Sequence, residues 1–128
     1  MQQPESPRPG NSDESAQPAS FPVEIDVIQT KEMLDSGVSM LLIDCREQSE
    51  IDTCRIEGSV HIPMREIADR ISEVESHSSD RIVVHCHHGG RSLKVVTWMR
   101  ENGFASAQNM SGGIDQWSQQ IDPEVPRY

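Results

Sequence analysis

The chain is expected to fold as a small α/β domain: an open parallel sheet of about five strands with helices on both faces. Three observations predict it. From Phe21 onward, short apolar runs alternate with stretches of helical periodicity. Two of those runs, residues 40–43 and 82–84, are apolar at consecutive positions, as in central strands covered on both faces. Glycine or proline punctuates the ends of several segments.

Taken in order, residues 21–25 read as a short first strand or an extended lead-in. Asp26 followed by Gln29 fits a helix N-cap with a capping box. That helix runs through Val27, Thr30, Lys31 and Leu34 and stops at Gly37. Residues 40–43 form a strand ending in Asp44-Cys45-Arg46-Glu47, and the polar residues 47–55 are a loop or short helix. Residues 58–63 read as a brief strand closed by Pro63. Ile67, Ile71 and Val74 share one helix face. After a turn at 77–80, residues 82–84 form the strand before Cys86. The next helix, expected over 92–102, buries Val95, Val96, Trp98 and Met99 and ends at Gly103. Residues 107–110 are a last strand. Gly112-Gly113 then opens a helix carrying Ile114 and Trp117, with Pro123 and Pro126 marking its end. Both tryptophans are expected in the core.

The 128 residues suffice for one domain. Residues 1–20 hold four prolines, four serines and no large aliphatic residue after Met1. Such a segment cannot bury enough apolar surface to offset its ordering entropy, so it is expected to be a disordered tail to a domain at 21–128. The start has no apolar stretch of a secretory signal, and no run is long enough to span a membrane. The net charge is −10, of which the tail carries −2, leaving −8 on the domain. An acidic surface argues against nucleic acid as a partner. Three cysteines without an export signal point to a reducing, cytoplasmic setting rather than a disulfide framework.

The chemistry concentrates at residues 81–92. A β-branched run ends in His85-Cys86, and a glycine-containing loop opens the next helix. A helix N-terminus presents unpaired N–H groups and partial positive charge, which stabilise an anion. A thiolate is an anion, so the Cys86 pKa should fall and the residue reads as a nucleophile. His85, His87, His88 and Arg91 are expected to add positive or polarisable groups. Successive N–H groups from His87 to Ser92 can form a cradle, with Gly89 and Gly90 allowing tight curvature and positive φ. Asp44 and Arg46 end a neighbouring strand and are expected to support the site through buried pairing. The bland alternative makes Cys86 a small buried residue at a strand end.

Four segments, in order, resemble the rhodanese-like domain family over residues 25–128. Residues 42–47, Leu-Ile-Asp-Cys-Arg-Glu, resemble its strand-ending Asp-Val-Arg-Glu. Residues 55–63 resemble its Gly-His-Ile-Pro-Gly-Ala-x-Asn-Ile-Pro segment. Residues 86–92 resemble its Cys-x-x-Gly-x-Arg-Ser loop, and residues 111–117 its Gly-Gly-x-x-x-Trp element. Cys45 replaces the usual aliphatic residue, Arg55 a common histidine and Glu57 a proline. The resemblance implies a sulfurtransferase. Cys86 would take sulfane sulfur from thiosulfate or another persulfide donor and pass it to cyanide, a thiol or a protein acceptor. No cofactor is implied. His87, His88, Gly89, Gly90, Arg91 and Ser92 would line the substrate, with Asp44 and Arg46 in support.

Several alternatives stay open at this level. Arg91 either binds the anionic substrate or braces the loop by bonding its carbonyls or the Asp44 carboxylate. His87 and His88 either bind the anion or face solvent. A metal on the His85–His88 run is not expected, because consecutive loop residues rarely aim at one tetrahedral centre. Cys45 is expected as a core thiol and Cys54 as a loop thiol, and either can pair with Cys86 under oxidation. Cell-cycle phosphatases and arsenate reductases are the rival activity of the same fold. Their loop encloses five residues between cysteine and arginine, whereas Cys86 and Arg91 enclose four. A non-catalytic binding module is the second rival.

Overall fold

A computed structural model describes residues 21–128; the expected Pro/Ser-rich tail at 1–20 lies outside the described residues. Five strands are connected by five α-helices and one 3₁₀ turn. The strands are β1 (Glu24–Ile25), β2 (Met40–Asp44), β3 (Val60–His61), β4 (Arg81–His85) and β5 (Gln108–Met110). The helices are α1 (Val27–Ser36), α2 (Gln48–Thr53), α3 (Ile71–Glu75), α4 (Gly90–Glu101) and α5 (Gly113–Gln120). All strand pairs are parallel, in the order β1-β5-β4-β2-β3. This is the expected α/β sheet.

Local chemistry accounts for the boundaries. Asp26 Oδ1 accepts the Gln29 N–H at 2.7 Å while Gln29 Oε1 accepts the Asp26 N–H at 3.0 Å, the reciprocal capping box that starts α1. Residues 21–25 are both lead-in and strand: Arg100 holds the Phe21 carbonyl at 2.8 Å before the two-residue β1 begins. Helix α4 starts two residues earlier than the apolar pattern suggests, because Gly89 at φ 111° serves as its cap.

Side-chain alternation along β2 and β4 divides the interior into two cores. One face carries Leu41, Ile43, Cys45, Ile82, Val84 and Cys86 beneath α3 and α4. The other carries Leu42 and Val83 against α1 and α5. Trp117 is buried in the second core, but Trp98 is only partly buried and lines a surface groove with Met64 and Lys94. Cys54, expected as a loop thiol, is buried at the end of α2, where its carbonyl is held by Arg46 at 2.8 Å. The chain runs from β2 outward to β3, and from β4 outward to β5 in the opposite direction. A crevice opens at the carboxyl ends of strands where such a reversal occurs. Asp44-Cys45 and Cys86 sit there. Among the described residues no helix is long and apolar enough to cross a membrane.

Candidate active site

Cys86 follows β4 directly, and the three residues after it turn into α4. Its sulfur accepts the Gly89 N–H at 3.1 Å and the Ser92 N–H at 3.4 Å, with the Ser92 hydroxyl oxygen 3.3 Å away. The left-handed backbone at Gly89 is what turns these groups inward. The Cys45 thiol, from the end of β2, lies in the same core as this sulfur. That thiol and the Ser92 and Gly89 donors hold the Cys86 pKa well below the ordinary thiol range, against the opposing effect of burial. The Cys45 thiol is driven the other way by the neighbouring Cys86 side chain, by burial and by the Cys86 charge. The two thiols are thus pushed in opposite directions, Cys86 down and Cys45 up.

Helix α5 fixes the loop from behind. The Ile114 N–H donates to the Cys86 carbonyl at 2.9 Å and the Asp115 N–H to the His87 carbonyl at 3.1 Å. A Cβ on Gly113 would lie 2.4 Å from the His87 carbonyl oxygen and 2.5 Å from that of Cys86. Only glycine lets this helix approach so closely, and its φ of 59° reinforces the requirement. Asn109 closes the other side: its amide donates to the Gly89 carbonyl at 3.2 Å, and its oxygen accepts from the Ser92 hydroxyl.

The Arg91 guanidinium is held by Glu50. Its two terminal nitrogens bind Glu50 Oε1 and Oε2 at 2.7 and 2.8 Å. This geometry fits the bracing alternative, with Glu50 as partner rather than Asp44 or a loop carbonyl. The Arg91 pairing holds the Glu50 pKa down to about 2. Asp44 instead pairs with Arg46 through two bonds, 2.9 and 2.7 Å, in full burial. Burial alone would raise the Asp44 pKa, but the Arg46 contacts hold it below the usual carboxylate value. Tyr128 joins the two pairs: its hydroxyl accepts from Arg46 at 2.8 Å and donates to Glu50 at 2.8 Å.

The histidines differ from one another. His85 lies on the opposite sheet face from Cys86, and burial pushes its pKa down. The nearest carboxylate oxygen, Asp44 Oδ2, lies 3.9 Å from His85 Nε2, beyond hydrogen-bond reach, so burial prevails and the ring offers polarisability rather than charge. The ring of His87 stacks on Tyr128 with centroids 3.9 Å apart, and burial lowers its pKa too. His88 is exposed and lies 3.7 Å from Asp115. One donor atom each from His87, His88 and Asp115 fall within 4.8 Å of one another. Sequence spacing could not foresee Asp115 here, yet Arg127 already binds its carboxylate at 2.9 Å.

A sequence model of the rhodanese-like domain matches residues 26–120. The chain belongs to that family. Within it, the chain is 33% identical over 111 residues to the putative sulfur carrier protein YrkF of Bacillus subtilis, covering 87% of this chain and 58% of that protein. It is 31% identical over 103 residues to an adenylyltransferase and sulfurtransferase, MOCS3-2 of Zea mays, covering 77% of this chain and 21% of the relative. The chain thus spans well under two thirds of these curated relatives. A rhodanese-like domain protein from Staphylococcus aureus superposes with a TM-score of 0.67 at 26% identity, over 82% of this chain and 97% of that one.

In this rhodanese-like domain, Gly89 and Ser92 are the loop residues named from sequence that contact the Cys86 sulfur, while His87 stacks on Tyr128 and His88 lies beside Asp115. Gly90 needs no positive φ, and a Cβ there would meet nothing within 4 Å. Arg91 pairs with Glu50. Sequence reasoning missed Glu50, Asn109 and Tyr128 as site-supporting residues, and no local pattern marks them. Cys45 had a signal, since it falls at the end of β2 as Cys86 falls at the end of β4.

Proposed function

We propose that the protein is a sulfurtransferase that carries sulfane sulfur on Cys86. The observation that supports this best is the convergence of the Gly89 and Ser92 N–H groups on the Cys86 sulfur, at 3.1 and 3.4 Å. The Cys86 thiolate attacks the outer sulfur of thiosulfate or of a persulfide donor. The donor S–S bond breaks, sulfite or a thiolate leaves, and a Cys86 persulfide remains. Orphan N–H groups in the first turn of α4, at Gly90 and Arg91, suit the donor's oxygens as charge shifts onto the leaving group. A thiol, cyanide or protein acceptor then attacks the outer sulfur and restores the thiolate.

Cys86 is only 1% exposed. A slender terminal sulfur suits such an enclosed nucleophile better than a bulky ester. Phosphatase chemistry fits less well, because Arg91 is committed to Glu50 and the loop is one residue short of the five-residue spacing. The relatives named as a sulfur carrier and a sulfurtransferase support the sulfur reading. A reducing, cytoplasmic compartment would keep the three free cysteines available.

Intact mass after thiosulfate treatment tests the proposal. One added sulfur, mapped to Cys86 and removed by a thiol reductant, is the expected result. An unchanged mass, or sulfur on Cys45 or Cys54 instead, overturns it.

A further inference from the structure

Cys45 and Cys86 are the next residues after the last register pair of two neighbouring parallel strands, Asp44 opposite His85. The Cys45 N–H donates to the His85 carbonyl at 3.0 Å, so the pairing continues to the edge of the loop. Both side chains point into the same core, beneath α3 and α4. Adjacent strands lie about 4.8 Å apart, and a disulfide accepts Cα separations of roughly 4.4–6.8 Å. Cys54 sits in the opposite core. Of the two thiols that could pair with Cys86, the fold brings one into position.

We propose that Cys45 is a resolving thiol that captures oxidised Cys86 as a Cys45–Cys86 disulfide, with a small hydroperoxide as oxidant. The steps balance. The Cys86 thiolate attacks the peroxide O–O bond; an S–O bond forms and the O–O bond breaks. Cys86 is oxidised to the sulfenic acid and the peroxide is reduced, leaving as water or an alcohol after taking up a proton from solvent. The Cys45 sulfur then attacks the Cys86 sulfur. The S–S bond forms, the S–O bond breaks, and the hydroxyl leaves as water with the Cys45 proton. A thiol reductant reverses the product by exchange. Without a neighbouring thiol, sulfenic acid proceeds to the irreversible sulfinic and sulfonic acids. The opposite directions in which the two thiols are pushed, Cys86 down and Cys45 up, suit this order of events.

This inference requires an ionised Cys86 but not sulfur transfer, so the two fail separately. The test treats the reduced full-length protein with hydrogen peroxide, then denatures it and blocks free thiols with N-ethylmaleimide. The expected product is lighter than the reduced chain by two hydrogens before blocking. It takes up maleimide at Cys54 alone, yields a linked Cys45–Cys86 peptide, and regains its thiols with dithiothreitol. Cys45→Ser, shown to be folded by circular dichroism, should instead accumulate sulfinic and sulfonic acid on Cys86. Overoxidised Cys86 with Cys45 still free in the wild-type chain overturns the proposal, as does a Cys54–Cys86 link. The thiosulfate mass shift, measured on the reduced protein, reports on the transfer reading independently.

Discussion

Glu50 grips Arg91 across 41 residues of sequence with two bonds of 2.7 and 2.8 Å. This fastens helix α2 to the first turn of α4, beside the loop that surrounds Cys86. The same carboxylate accepts the Tyr128 hydroxyl, which also receives Arg46. One glutamate therefore ties the outer brace to the buried Asp44–Arg46 pair.

Glu50→Gln should loosen the loop without unfolding the domain. The pair is partly exposed, with side-chain exposures of 19% for Glu50 and 34% for Arg91, so its net contribution is about 1–2 kcal/mol. Urea denaturation should show a loss in that range. An unchanged midpoint would remove the brace from the account.

Acid should weaken the fold through the same carboxyl. Its pKa is about 2 when folded against an ordinary 4.5. A depressed carboxyl stabilises fully above the ordinary value, and that contribution drains away as pH falls through the folded value. Wild type should therefore lose stability between pH 4.5 and 2 more steeply than Glu50→Gln. Parallel melting curves in that window would contradict it.

Cys45→Ala removes the neighbouring thiol that draws the Cys86 pKa down. A hydrogen bond to a charged group contributes about 1.5–3 kcal/mol, so the Cys86 pKa should rise by about 1–2. The pH profile of iodoacetamide labelling at Cys86 reads this directly. Cys45→Ser keeps a donor and should shift the profile less. Identical profiles for wild type and Cys45→Ala would show that Cys45 does not tune the thiolate.

Gly113→Ala and Gly90→Ala form a matched pair. The first sets a methyl group against the Cys86 and His87 carbonyl oxygens at a positive φ, and should cost about 2–4 kcal/mol. The second places alanine in open space at the first position of α4, and should change stability by about 0.5 kcal/mol or less. Equal effects in thermal unfolding would refute the clamping role of α5.

Removing half of the buried pair is the severest change. Arg46→Met leaves the Asp44 charge without its guanidinium partner in full burial, and should destabilise by about 3–5 kcal/mol. A loss below about 1 kcal/mol in denaturant titration would mean that Asp44 takes up a proton cheaply or finds another partner.

The strands, the helices and the reactive loop were legible in the residue order because each rests on near neighbours. Consecutive apolar residues announced β2 and β4, Asp26 and Gln29 announced the start of α1, and Cys86 followed by glycines announced a cysteine at a helix entrance. Contacts between distant segments had no such local mark. Glu50 meets Arg91, Asn109 meets Ser92, and Tyr128 meets Arg46 only because a parallel sheet carries their segments to one end. Side-chain alternation then placed His85 on the far face and Cys45 on the near one, a choice that follows from pleat and register once β2 and β4 are paired. Residue order placed a cysteine at a helix entrance; chain closure selected the groups that surround its sulfur.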